Sequence, residues 1–309
     1  MPLVGGVQVD EHTITVSHPD RVVFPDIGLT KGELVDYYRR VAPLALAHLR
    51  GRPLTMQIYP KGADQPGAFV KERRKHFPEW VGSAEVPISE ATRRKRSDGL
   101  RMPVVDSEDA LVYLANQGMV TPHVWLSRAD RPDHPDRMVF DLDPSDDDFA
   151  LVRRTALQLR AVLEEAGLVP YVKTTGSRGL HVTVPLDGSA DYEEVGGFAD
   201  AMAATLAARH PDRLTTAFSK AERGSRLFLD VLRNRPAQTE VAAYGVRGRP
   251  GAPVAAPLEW DEVGDSSLRP DRWTVRNLFR RLARREDPWA SLDAAARPLP
   301  ERVHPPTAG

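Results

Sequence analysis

The chain has 309 residues, enough to bury a full core in one large domain or two lobes. Hydrophobic content of 41% and charged content of 28% are ordinary for a globular protein, and no apolar run approaches the roughly 18 residues of a membrane span. The absence of cysteine excludes disulfides, thiolate zinc sites and cysteine nucleophiles, while a formal net charge of −1 gives no global sign of a nucleic-acid partner. No charged start followed by an apolar signal core opens the chain, so a cytoplasmic protein is expected. Charge is nevertheless uneven. Lys71, Arg73, Arg74 and Lys75 form one basic run, Arg93, Arg94, Lys95 and Arg96 a second, and Arg276, Arg280, Arg281, Arg284 and Arg285 a third, whereas acids gather at 141–148. A single run of this kind is most often a solvated face.

Residues 1–12 read as a flexible lead-in, and Thr13 to Val16 as a short strand before the turn-rich HPDRVVFPDIGLTKGE. Thr30 caps a predicted helix from about Lys31 to His48, with Glu33 completing a capping box and Leu34, Tyr37, Tyr38, Val41, Leu44 and Leu46 on its buried face. Lys31 opens that helix, where a positive charge opposes the macrodipole. A bound anion would relieve the conflict and use the free amides of the first turn; a plain solvated lysine would cost little. Arg52 to Tyr59 reads as a strand and Pro60 to Gly67 as a turn. The segment AFVKERRKHFPEWV then interleaves Phe69, Phe77 and Trp80 with cations, a pattern that can stack bases and grip phosphates, although Phe77 and Trp80 suit a core better. Residues 86–105 resemble a hairpin with a long basic tip, RRKRSDGLR. Ser107 to Gly118 reads as a capped helix, and Val120 to Trp125 as a strand carrying His123.

Arg137 to Phe149 (RMVFDLDPSDDDF) carries the clearest chemistry. Val139 to Asp143 alternates with period two, which puts Phe140 and Leu142 on one face and Asp141 and Asp143 on the other. Carboxylates roughly 6.5–7 Å apart along a strand can converge on one or two divalent cations. The plain alternative is an edge strand with two solvated acids, the commoner case for an isolated DxD. Pro144 ends the strand, Asp146 to Asp148 suit a helix N-terminus, and Val152, Ala156, Leu159, Leu163 and Ala166 step as an amphipathic helix over 149–167. Strands at Tyr171–Thr175 and Leu180–Pro185 flank TGSRG, whose Gly176, Ser177, Arg178 and Gly179 precede His181. Such turns cradle phosphates, and ordinary hairpins also use Gly and Ser. After a helix over 191–210 comes AFSKAERGSRLFLDVLRN, an apolar strand ending at Asp230 and preceded by Lys220, Arg223 and Arg226. Asp230 is either an exposed strand end or a third metal ligand. Residues 235–257, rich in Pro, Gly and Ala around Arg247 and Arg249, read as loops over the surface. A last helix is expected near Thr274 to Arg285, and a flexible tail over 291–309.

Two strand acids, a Gly-Ser-Arg-Gly turn leading to a histidine, and a third strand-end acid together resemble the archaeo-eukaryotic primase superfamily. The closer resemblance is to the polymerase domain of bacterial ATP-dependent DNA ligase D and its stand-alone relatives. It runs from about Thr13 to Ala283 through VVFPDIGLTKGELVDYY, GADQPGAFVKE, VFDLDP, TTGSRGLHV, LFLDVLRN and VRGR. It implies an α/β (α+β) two-lobed primase-polymerase fold over 13–290, with an N-terminal α/β module (about 13–125) packed on an RRM-like antiparallel catalytic sheet (about 126–290). The implied activity is template-directed addition of ribo- or deoxynucleotides to a primer 3′ end at short gaps or broken ends, with two divalent ions, Mn²⁺ or Mg²⁺.

Carried over by the resemblance, Asp141, Asp143 and Asp230 would be the catalytic metal ligands. Ser177, Arg178, His181, His123, Lys220 and Arg247 would hold the nucleotide. Arg21 and Lys31 would take the 5′-phosphate of a downstream strand, Phe69 would stack on the template, and Lys71 and Arg223 would add DNA contacts. The implied partners are gapped or broken duplex DNA with a 5′-phosphate, NTP or dNTP, and Ku with a DNA ligase, at the nucleoid of a bacterial cytoplasm and not at a membrane. The process would be end joining or gap filling in excision repair. Ala68 departs from the pattern where relatives have a second aromatic, Arg21 and Arg178 replace lysines, and Gln57 stands where some relatives have a basic residue. Two other classes compete. A DxD glycosyltransferase would need neither three basic runs nor a template-side aromatic, and a non-catalytic nucleic-acid-binding module of the same fold would have lost the acids.

Overall fold

The computed structural model describes residues 6–9, 11–86 and 99–301. From the N-terminus the elements are β1 (Gly6–Val9), β2 (His12–Thr15), β3 (Val22–Phe24), β4 (Leu29–Thr30), α1 (Lys31–Leu49), β5 (Leu54–Ile58), β6 (Ala68–Val70), β7 (Ser83–Val86), β8 (Leu100–Pro103), α2 (Glu108–Asn116) and β9 (Met119–Trp125). There follow β10 (Arg137–Asp143), α3 (Phe149–Glu165), β11 (Tyr171–Thr174), β12 (Leu180–Pro185), α4 (Tyr192–Arg209), β13 (Leu214–Thr215), α5 (Lys220–Arg223) and β14 (Leu227–Asp230). The chain closes with β15 (Thr239–Val241), β16 (Pro257–Leu258), α6 (Trp260–Gly264) and α7 (Leu278–Leu282). It divides into two compact units: residues 1–132 with 239–255 and 273–284, and residues 133–238 with 256–272 and 285–309.

In the first unit the sheet order is β15-β9-β5-β6, and α1 packs on α2. The capping box expected at α1 is present: Thr30 Oγ1 accepts from Glu33 N at 3.3 Å, and the Glu33 carboxylate accepts from Thr30 N at 2.8 Å. The first-turn amides are not free, however. Lys31 N donates to Arg21 O and Gly32 N to Pro19 O, both at 2.8 Å, because the turn from Pro19 to Arg21 folds back over the helix start. The fully buried Tyr38 ties α1 to β9 through Val120 O at 2.5 Å. β7 and β8 pair as the expected hairpin, while its tip and the basic run Arg93–Arg96 lie outside the described residues.

Residues 235–257 depart from expectation. Only 236–238 and 249–250 are exposed; 240–246 and 252–257 are interior chain, with Ala243, Tyr244, Val246, Val254, Ala255 and Ala256 all buried. Tyr244 N donates to Ala255 O at 2.8 Å and Arg247 N to Pro253 O at 2.7 Å, so two segments pair backbone to backbone, and the Ala and Gly content reflects close packing. The helix expected at Thr274 begins only at Leu278, because Thr274 bridges Pro253 and Val275 N is bonded to Ala252 O.

The second unit is built on a six-stranded sheet of order β13-β14-β10-β12-β11-β16, antiparallel except for β13 with β14. Helices α3 and α4 pack on it. β10 is therefore an interior strand with partners on both sides, which overturns the edge-strand alternative. Phe140 and Leu142 are fully buried, and Asp141 and Asp143 alternate with them and stay partly exposed. β14 pairs with β10 only over Asp141 to Asp143. Further along, Asn234 takes over as a substitute strand: its Oδ1 accepts from Val139 N at 2.8 Å and its Nδ2 donates to Val139 O at 2.7 Å and Val231 O at 2.9 Å.

Asn234 is fully buried, so Asn234→Ala leaves both polar groups of Val139 without these partners. A loss of about 2–6 kcal/mol is expected in a denaturant titration, at about 1–3 kcal/mol for each of the two orphaned groups. A loss below about 1 kcal/mol would mean that the amide is not holding the strand.

Candidate functional site

Asp141 stands opposite Asp230 across β10–β14 and opposite His181 across β10–β12, and His181 stands opposite Lys173 across β11–β12. Directly opposed residues on neighbouring strands share a face. Asp230, Asp141, His181 and Lys173 thus form one row across four strands, with Asp143 two residues along the same face. His181 Nε2 lies 3.4 Å from Asp141 Oδ2.

Two cations that the sequence did not single out belong to this site. Arg233 places Nη2 3.7 Å from Asp141 Oδ2. Lys173 is fully buried, with its ammonium 5.2 Å over the Trp289 ring. The available signals were a lone lysine inside an apolar strand, and a cation three residues after the strand-end acid.

Arg223, expected at a DNA surface, sits with the acids. Its Nη1 is 3.9 Å from Asp143 Oδ2, and its guanidinium lies 3.6 Å over the Phe228 ring. Nε and Nη2 donate to Ala217 O and Phe218 O at 3.0 and 2.8 Å. Burial raises the Asp143 carboxyl above the ordinary aspartate range, and the Asp141 charge adds to it. Asp230 is raised mainly by burial; the 2.9 Å bond from Leu232 N opposes the rise, and Asp141 reinforces it.

The TGSRG turn is held by Thr175, whose Oγ1 accepts from Ser177 N and Gly179 N, each at 3.2 Å. Gly179 lies so close to the end of β10 that a Cβ would stand 2.1 Å from Leu142 O. This approach is open only to glycine, and it sets Ser177 and Arg178 next to the strand that bears Asp143. Arg178 is exposed and donates through Nη2 to Asp146 O at 3.2 Å. Beside it a cavity of about 520 Å³ is lined by Ser177, Arg178, Arg153 and Arg269 together with Asp146 to Asp148. Lys220 is exposed at the start of α5.

The remaining candidates lie on the first unit. Phe69 is 58% exposed, with its ring centroid 5.4 Å from that of His123, and His123 Nε2 is 3.4 Å from Gln57 Oε1. Lys71 is exposed, and Arg247 is half-buried. Of the third basic run, Arg281 is buried with its guanidinium 5.0 Å over Trp273, and Arg276 pairs with Glu33 at 2.8 Å.

Lys31 is only 6% exposed, and its Nζ donates to Ser17 O and Ser17 Oγ, both at 2.7 Å. Burial, and then the Arg21 charge, push its pKa down to about 8. Arg21 donates to Pro60 O at 3.4 Å, so among the described residues both cations have neutral partners. Two neighbouring cations without a carboxylate favour an anion.

Among the described residues no three His, Asp or Glu side chains, as placed, gather closely enough to enclose a metal ion, and no helix is long and apolar enough to cross a membrane. The donor chemistry nonetheless fits a hard divalent cation. Asp141, Asp143 and Asp230 are half-buried carboxylates on one face whose mutual repulsion such an ion would relieve.

The family described as LigD, primase-polymerase domain, matches residues 30–289. The multifunctional non-homologous end joining DNA repair protein LigD of Mycobacterium tuberculosis is 34% identical over 302 residues, covering 95% of this chain and 38% of that protein. LigD of Pseudomonas aeruginosa is 34% identical, over 90% of this chain and 32% of its own, and the bifunctional LigD of Bacillus subtilis is 29% identical, over 87% and 42%. The chain thus spans about a third to two-fifths of the length of these relatives. The solved polymerase domain of Mycobacterium tuberculosis Ligase D, in complex with DNA, superposes with a TM-score of 0.84 at 33% identity, covering 92% of this chain and 99% of that one.

A carboxyl whose folded pKa is raised costs stability as it ionises, so the cost grows as pH rises and disappears below the ordinary aspartate range, about pH 3.9. Asp143→Asn removes one such charge. In metal-free buffer at pH 7.5 it is expected to raise the thermal midpoint by about 1–3 °C, with the gain vanishing on acidification. A lowered midpoint at pH 7.5 would show that the acids are not in electrostatic conflict.

Proposed function

The chain belongs to the LigD primase-polymerase domain family, and from that premise we propose that it is a template-directed nucleotidyltransferase acting on gapped or broken duplex DNA. The observation that carries this is the placement of Asp141, Asp143 and Asp230 on one sheet face, with the Ser177–Arg178 turn pressed against the end of the same strand. Asp141, Asp143 and Asp230 would hold two divalent ions, Mn²⁺ or Mg²⁺, which when bound supply the charge that acidifies a primer 3′-hydroxyl and neutralises leaving pyrophosphate.

The side chains around the acids bind and orient. Ser177 and Arg178 offer a hydroxyl and a guanidinium to the triphosphate, and Lys220 adds a further cation. His181, whose Nε2 lies 3.4 Å from Asp141 Oδ2, would hold the nucleotide beside the acids. Arg233 and Arg223, each within 4.0 Å of an acid, offset part of the negative charge of the row. On the first unit, Phe69 offers an exposed ring for a template base, and Arg21 with Lys31 offers the anion site for a 5′-phosphate. The nucleotide-binding part given to His123 and Arg247, and the DNA contact given to Lys71, rest on the resemblance.

The proposed setting is bacterial end joining, after the relatives named for it, with a ligase and Ku as partners and excision-repair gap filling as the other process. Family membership disfavours a DxD glycosyltransferase, and the three acids disfavour a non-catalytic module.

Replacing Asp141 and Asp143 together, or Asp230 alone, with Ala is expected to abolish primer extension on a gapped duplex while DNA binding survives, since phosphate contacts dominate binding. Chelation should stop the parent protein and added Mn²⁺ restore it; extension persisting in chelator would sink the metal assignment. Arg178→Ala should raise the apparent KM for nucleotide by roughly 10- to 150-fold, the loss of one charge-assisted contact, with DNA affinity little changed. An unchanged KM would return the turn to an ordinary hairpin.

A further inference from the structure

Lys31 is buried at the head of α1, yet among the described residues the partners of its ammonium are neutral. Of its three N–H groups, two are taken by Ser17, through the backbone carbonyl and the hydroxyl at 2.7 Å each. Ser17 is itself gripped by Asn116, the last residue of α2. Asn116 Oδ1 accepts from Ser17 N at 3.1 Å and from Ser17 Oγ at 3.4 Å, and Asn116 Nδ2 donates to Thr15 O at 2.9 Å. A hydroxyl that donates to a carboxamide oxygen keeps its lone pairs for the ammonium, so the relay has one direction: ammonium to hydroxyl to carboxamide.

The turn above is equally constrained. His18 takes a left-handed φ of 50°, a strained conformation for a residue other than glycine, and Pro19 O and Arg21 O are bonded to the first amides of α1. A buried ammonium with only neutral acceptors is costly unless its remaining N–H meets an anion. A carboxylate in the place of Asn116 would put a negative charge behind Ser17 Oγ, one hydroxyl removed from the ammonium, and offset part of its charge.

We propose that Ser17 and Asn116 are positioning residues for Lys31: their relay orients its third N–H and keeps its charge unneutralised, so that discrimination for a strand carrying a 5′-phosphate depends on them. The inference rests on the assignment of Arg21 and Lys31 to the 5′-phosphate. It concerns the strength of that preference, which is separable from DNA affinity as a whole. Because Arg21 and Lys31 lie in the same N-terminal region, partial unfolding there would also lower the ratio, so each variant is compared with the parent only where its thermal midpoint matches the parent's.

The experiment measures affinities of the full chain for two gapped duplexes, identical except for a 5′-phosphate or 5′-hydroxyl on the downstream strand. The variants are Ser17→Ala, Ser17→Thr, Asn116→Asp and Lys31→Ala. The parent should favour the phosphorylated duplex by about tenfold or more, and Lys31→Ala should remove most of that ratio. Ser17→Ala should cut the ratio by about fivefold and Ser17→Thr, which keeps the hydroxyl, should restore it. Asn116→Asp, which preserves shape but adds a charge near the ammonium, should also lower the ratio. If the parent and Lys31→Ala behave as expected but Ser17→Ala and Asn116→Asp keep the parent ratio, the positioning role is wrong and the phosphate site stands. If Ser17→Thr is as defective as Ser17→Ala, the hydroxyl is not the active element and the relay is overturned. Equal affinities of the parent for both duplexes would overturn the phosphate site itself, and the relay with it.

Discussion

The register of β10 is the constraint on which the second unit depends. Phe140 and Leu142 are fully buried, so a slip of one residue would drive Asp141 and Asp143 into the core and expose the apolar pair. With that register held, Asp141 must face Asp230 on one neighbour and His181 on the other. The acid row is therefore a consequence of core packing beneath it. Asn234 extends the same control past the point where β14 leaves the ladder, since its carboxamide satisfies Val139 as a paired strand would. Gly179 supplies the last element: only a residue without a Cβ lets the TGSRG turn approach Leu142 O.

The two units carry opposite electrostatic problems. In the second, three carboxylates share a face, and burial together with mutual repulsion raises Asp143 and Asp230; Arg223 and Arg233 offset this only in part. In the first, Lys31 has neutral partners, and its burial, followed by the charge of nearby Arg21, lowers its pKa. Each arrangement costs stability in the bare protein and would be relieved by a ligand of the opposite sign, the divalent cation proposed in one case and the phosphate proposed in the other. The net charge of −1 conceals both, because a sum over the chain says nothing about where like charges are forced together.

What the sequence determined by itself was local. The Thr30–Glu33 capping box, the alternation around Asp141 and Asp143, the TGSRG turn, the apolar run into Asp230 and the helical stepping of 149–167 each depend on residues within a few positions of one another. Period, cap and turn chemistry make such features legible, and the order of the acids with the turn between them carried the family resemblance.

The tertiary structure decided what distant segments do to each other. That β10 is interior follows from pairing with strands some 40 and 90 residues further on, which alternation cannot reveal. Lys173 and Arg233 join the acid row only through strand register and the turn after β14, so as isolated cations they carried no mark of it. Residues 235–257 read as surface loops because they lack a period, yet 240–246 and 252–257 are buried and pair with one another in part, and Thr274 is drawn into a bridge with Pro253 before a helix can begin. The amides at the head of α1 looked free because nothing local could satisfy them; the folded-back turn did, and left Lys31 with a charge that only its distant neighbours Ser17 and Asn116 arrange. Periodicity reports what each residue prefers, and register and burial report which preferences are made to meet.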